Sequence, residues 1–143
     1  MKIIARIILL AAFAAFFSSS VFAAYFGPYS LIAPTAIDGD TLRAEVPVWP
    51  FVNIDASIRV IGVDTPELNV ACEKERALAA KAFTKAWINR NSPIVIGSVK
   101  PDKFSGRYDA IVTGAGGERL SAALIQAGHG RVYNGGARQS WCP

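Results

Sequence analysis

The stretch SIRVIGVDTPEL, residues 57–68, decides how the rest of this chain is read. Val and Ile dominate its first half, as in a strand with apolar surroundings on both faces. The string DTPE then ends the run. Such an ending is ordinary by itself: Asp or Thr caps a helix, Pro suits the first helical position and Glu the first turn. Arg59 is not ordinary. A guanidinium inside an apolar strand is costly unless a carboxylate or a bound phosphate pairs with it.

Upstream, IDGDT (residues 37–41) sets Asp38 and Asp40 around a glycine. Taken alone this is a hairpin turn, because Asp-Gly is a strong two-residue turn signal. Downstream, DKFSGR (residues 102–107) closes on a second arginine, Arg107. The three segments together suit one chemistry. Carboxylates hold a hard divalent cation, two guanidiniums hold a phosphate, and one further carboxylate orients or deprotonates water, which is what in-line hydrolysis of a phosphodiester needs. Asp38, Asp40, Asp55, Asp64 and Glu67 all fall within 30 residues. A protein that binds a polyanion has no use for that cluster unless a cation neutralises it.

Short β-type runs are expected at 35–37, 41–46, 58–63, 94–99 and 108–113, bounded by Gly, Pro, Asp or Asn. A helix is expected over 73–89, free of Gly and Pro, with Ala79, Phe83 and Trp87 on its inner stripe and Lys74, Lys81 and Lys85 off it. A shorter helix fits 119–127, burying Leu120, Ala123 and Leu124 and stopping at Gly128. The expected fold class is α+β, mainly β: a five-stranded Greek-key barrel of the oligonucleotide-binding type with two helices. Between the second and third runs, EVPVWPFVNIDAS (residues 45–57) reads as an extended loop folded back on the barrel. Base stacking or a partner contact by Trp49 and Phe51 is the alternative. His129, the only histidine, is expected at the surface.

Lys2 and Arg6 precede an unbroken apolar run at 7–17, and SSSVFAA follows with small residues at Val21 and Ala23. That pattern predicts a signal peptide over 1–23, because 11 apolar residues are too few for a bilayer span of about 20. The expected destination is the periplasm or the exterior, with an uncleaved membrane tether as the rival. The remaining residues, 24–143, suffice for one domain. Setting Lys2 and Arg6 aside from the 15 basic residues leaves 13 against 11 acidic ones, too weak a bias to indicate nucleic acid by itself. Cys72 and Cys142 are the two cysteines. In an oxidising compartment the expectation is one disulfide between them.

In this order, IDGDT, RVIGVDTPE, a helix with AFTK, DKFSGR and ALIQAG resemble the staphylococcal nuclease (thermonuclease) family, over residues from about 37 to 133. The resemblance implies a Ca2+-dependent nuclease acting on single- and double-stranded DNA and on RNA, with little sequence preference and 3′-phosphate products. It implies calcium ligands at Asp40, Asp64 and the Thr65 carbonyl, with Asp38 in support. Arg59 and Arg107 match the phosphate-holding arginines, and Glu67 the residue that positions or deprotonates water. Lys103, Phe104 and Tyr133 fall beside the expected nucleotide. The chain departs from the family's reference enzyme in a longer 40–59 hairpin, an extra residue in DKFSGR, and no counterpart to that enzyme's third C-terminal helix. A monomer without a stable protein partner is expected. The second reading is a catalytically silent oligonucleotide-binding or protein-interaction barrel, which would gain nothing from Asp40, Asp64 and Glu67.

Overall fold

The computed structural model describes residues 26–143, so the expected signal peptide lies outside the described residues. Among these, eight strands and two helices follow in the order β1 (Tyr29–Ser30), β2 (Ile32–Ala36), β3 (Thr41–Trp49), β4 (Val52–Val60), β5 (Gly62–Asp64), α1 (Lys74–Asn91), β6 (Val95–Pro101), β7 (Arg107–Thr113), α2 (Leu120–Gln126) and β8 (Arg131–Tyr133). β1 to β4, β6 and β7 form one sheet in the order β1-β6-β7-β4-β3-β2, and β5 pairs with β8. The sheet curls until β1 approaches β3, giving a nearly closed barrel. All pairings are antiparallel except β4 with β7, which run parallel from Ser57↔Arg107 to Val60↔Ala110.

Alternation sets which face is inside. In β3, Leu42, Ala44 and Val46 are buried, whereas Arg43 and Glu45 are exposed. Ile58 and Val60 of β4, Ile96 of β6 and Val112 of β7 complete the core, with Trp87, Leu120 and Leu124 brought in from the helices. Every expected β run overlaps a strand, and the apolar faces of both helices seal one side of the barrel.

Three details differ from the sequence expectation. Residues 45–57 do not form a loop folded back on the barrel: β3 and β4 stay paired from Thr41↔Arg59 to Trp49↔Val52, and the hairpin turns at Pro50 and Phe51. Cross-strand contacts close its outer face, with Arg43 bonding Asp55 and Asn53 bonding Glu45. Trp49 and Phe51 therefore stand exposed at the tip. The buried stripe of α1 is Ala77, Ala80, Thr84, Trp87 and Ile88, leaving Ala79 exposed and Phe83 half-buried. The small side chains face the 37–41 turn, where backbone comes close, and Phe83 covers the edge against half-buried His129. Finally, the 58–63 run is split. Gly62, at φ +91, lets the chain leave the main sheet for the pairing with β8.

Candidate active site

Asp40 is placed by a turn that only glycine allows. A Cβ on Gly39 would lie 2.7 Å from Thr65 Oγ1 and 2.8 Å from the Ala80 Cβ. The demand is for space, since Gly39 is not among the positive-φ residues. Thr84 of α1 donates to the Gly39 carbonyl at 2.6 Å and fixes the helix against the turn. Asp38 accepts the Asp40 amide at 3.0 Å, and so supports the turn from its side. The Asp40 carboxylate, 2% exposed, accepts from Arg59 Nη1, from Thr41 Oγ1 at 3.3 Å and from the Thr65 amide at 2.9 Å. Burial pushes this carboxyl up to about 6, against the Arg59 guanidinium, which pulls it down. The costly strand arginine is thus paired as its position demanded: Arg59 bonds Asp40 and reaches Asp64 at 3.8 Å.

Asp64 ends β5 opposite Arg131 and is also buried. Glu67 follows after Pro66, its side chain 37% exposed. Its backbone is held from behind, because Glu73 Oε2 accepts the Glu67 amide at 2.8 Å. Glu73 occupies the cap position of α1 without capping it. Its other oxygen accepts the Trp141 amide at 3.1 Å instead, and these two bonds hold its pKa low against a smaller effect of burial.

Arg107 begins β7, on the strand beside Arg59 and two residues before Asp109, the register partner of Arg59. Both arginines therefore point from the same face of the sheet. In this structure Asp102 holds Arg107 at 2.7 Å, and its guanidinium stacks 4.5 Å from the Phe104 ring. Lys103 lies over the same ring at 5.1 Å. Exposed Lys103 and Phe104 of the loop and half-buried Arg107 at the start of β7 thus form one cluster, joined to no carboxylate of the Asp40–Asp64–Glu67 group. Tyr133 pairs with Gly62 across β5–β8 and donates to the Gly136 carbonyl at 2.8 Å.

The C-terminal tail enters the site, which the sequence reading did not anticipate. Cys72 and Cys142 are disulfide-bonded, with Cα atoms 5.5 Å apart. Trp141 Nε1 donates to Asp64 Oδ2 at 3.1 Å, and Arg131 stacks on its ring at 3.6 Å. Arg138 then bonds Asp64 through Nε, Glu67 through Nη1 and the Thr65 carbonyl through Nη2 at 3.3 Å. Asp64, Thr65, Glu67, Glu73, Arg138 and Trp141 line a cleft of about 290 Å³. A separate apolar cleft of about 180 Å³, between β1, β3, β4, β6 and β7, is lined by no carboxylate.

Among the described residues, no three Asp, Glu, His or Cys side chains converge as a ready metal cluster. The donors that calcium would take are nevertheless all hard oxygens: the Asp40 and Asp64 carboxylates and the Thr65 carbonyl. The position also attracts cations, since Arg59 and Arg138 both converge on Asp64 there. These residues fit a hard divalent ion.

Fold and site define a small barrel of oligonucleotide-binding type with an acid–guanidinium cluster at one end. The chain belongs to the staphylococcal nuclease homologue family, whose family model matches residues 57–140, from β4 through the tail. No curated protein matches the chain closely enough to count as a relative.

Proposed function

We propose that this protein is an exported, calcium-dependent nuclease that hydrolyses DNA and RNA phosphodiesters with little sequence preference and leaves 3′-phosphates. One observation carries the reading: Asp40 of the 37–41 turn comes together with Arg59, Asp64 and Glu67 of the 57–68 stretch, with two of the carboxylates buried and Glu67 accessible. Bound at Asp40, Asp64 and the Thr65 carbonyl, calcium would supply Lewis-acid polarisation of the substrate phosphate. Glu67 orients or deprotonates the attacking water. Arg59, fixed by Asp40, stabilises charge growing on the phosphate oxygens, and Arg107 reaches the same phosphate from the neighbouring strand when Asp102 releases it.

Lys103, Phe104 and Tyr133 are assigned to the flanking nucleotide, where stacking tolerates any base. Residues 24–143 form the single catalytic domain of a monomer. Export over 1–23 is supported by the disulfide, which suits an oxidising compartment. The silent-barrel alternative leaves the buried acids without a purpose. The test is cleavage of single- and double-stranded DNA and of RNA by purified protein in calcium against chelator. Calcium-dependent cleavage supports the assignment, and no cleavage of any of the three overturns it.

A further inference from the structure

Arg138 is more than a fastening for the tail. The tail is already held by the Cys72–Cys142 bond, by both Trp141 nitrogens, and by Arg76 and Arg131 on the carbonyls of Trp141 and Ser140. Arg138 instead reaches past these anchors. Its planar fork lands on one carboxylate and one carbonyl of the expected cation site, and on Glu67, the expected water-orienting residue.

A guanidinium and a divalent cation cannot both rest on Asp64 and the Thr65 carbonyl, because like charges at that spacing repel strongly in a partly buried site. When calcium binds, Arg138 must leave those oxygens. The anchored tail keeps it within the cleft, where its remaining anionic partners are Glu67 and whatever phosphate arrives.

We propose that Arg138 is a further phosphate-binding residue of this site, resting on the cation ligands until calcium takes them and then holding the substrate phosphate. The proposal rests on the nuclease reading. It also accounts for the site's charge balance, since Arg107 is occupied by Asp102 and, among the described residues, only Arg59 and Arg138 form ion pairs with Asp40, Asp64 and Glu67. Arginine suits the task, because its fork matches carboxylate and phosphate alike.

The experiment compares wild-type protein, disulfide intact, with Arg138→Gln. Calcium binding is followed by calorimetry. Binding of a phosphorothioate thymidine tetranucleotide to the calcium-loaded protein is measured separately. The variant is expected to bind calcium about tenfold more tightly and the tetranucleotide about tenfold more weakly, the scale of one charge-assisted hydrogen bond. Unchanged calcium affinity, or unchanged tetranucleotide affinity, overturns the proposal. A fall in thermal stability with both affinities unchanged would show a tail clasp and nothing more. If Arg138→Gln fails to fold, Arg138→Lys, which keeps the charge and loses the fork, is read on the same two affinities. Wild-type protein that binds no calcium overturns the nuclease reading itself, and this proposal with it.

Discussion

Thr84 donates its hydroxyl to the carbonyl of Gly39 at 2.6 Å, so the long helix grips the turn that carries Asp40. Gly39→Ala would force a methyl against Thr65 and Ala80. Overpacking of this kind costs about 1–3 kcal/mol, and the displaced Thr65 amide would no longer meet Asp40. The expected outcome is a lower melting temperature together with weaker calcium binding. Thermal melts with and without calcium check it, and an unchanged pair of melts would refute it.

Arg59 and Arg107 should separate on stability. Arg59→Ala strands the buried Asp40 carboxylate, and breaking a buried pair costs about 3–5 kcal/mol. Arg107 is more exposed, so Arg107→Ala should cost less, roughly 1 kcal/mol or below. Urea denaturation of both variants reads the difference. Turnover should fall in both by about two or more orders of magnitude, through lost charge stabilisation. Near-normal turnover in Arg107→Ala would mean that Asp102 keeps this arginine out of the reaction.

Glu67→Gln is expected to fold and to bind calcium nearly normally, because Glu67 is half-exposed and its amide bond to Glu73 is unaffected. Turnover should drop by about two or more orders of magnitude, the usual scale for a lost general base. Single-turnover cleavage in saturating calcium measures it.

Magnesium should support cleavage poorly. Two carboxylates and a carbonyl, drawn from a turn and a strand end, suit a larger and irregularly coordinated ion better than one demanding tight octahedral geometry. Equal rates in the two metals would sink the calcium assignment but leave the nuclease standing.

Reducing the Cys72–Cys142 bond opens a loop with a sequence separation of 70 residues. The chain-entropy relation gives roughly 4 kcal/mol for a loop of that length. Reduction should therefore lower the melting temperature by several degrees or more, with calcium restoring part of it by binding only folded protein. Scanning calorimetry of reduced and oxidised protein is the measurement.

Much of the architecture was legible in the sequence because it rests on local signals. Runs of Val and Ile bounded by turn residues marked the strands, Gly128 marked the stop of α2, and an arginine among Val and Ile announced a buried ion pair. The 45–57 hairpin was misread because its prolines and exposed aromatics look like loop chemistry, whereas pairing partners such as Arg43 and Asp55 become visible only across the strands. The α1 stripe was misplaced because an Ala-rich helix offers several stripes of equal hydrophobicity, and the close approach of Gly39 selects one. Arg138 and Trp141 were missed although a signal existed. A disulfide expected at Cys72, five residues beyond Glu67, already carries ARQSW to the catalytic loop.

The pairing of β4 with β7 and the bond from Arg138 to Asp64 have a temporal consequence. Arg138 and Asp64 are 74 positions apart along the chain, and the parallel β4–β7 ladder joins segments with a helix and two strands between them. Contacts of such range form late in folding, after local helices and hairpins. A chain that stops short of Arg138 can therefore assemble most of the barrel with Arg59 already on Asp40 while Glu67 still lacks its guanidinium, and the order of assembly itself withholds a finished centre until the last segment arrives.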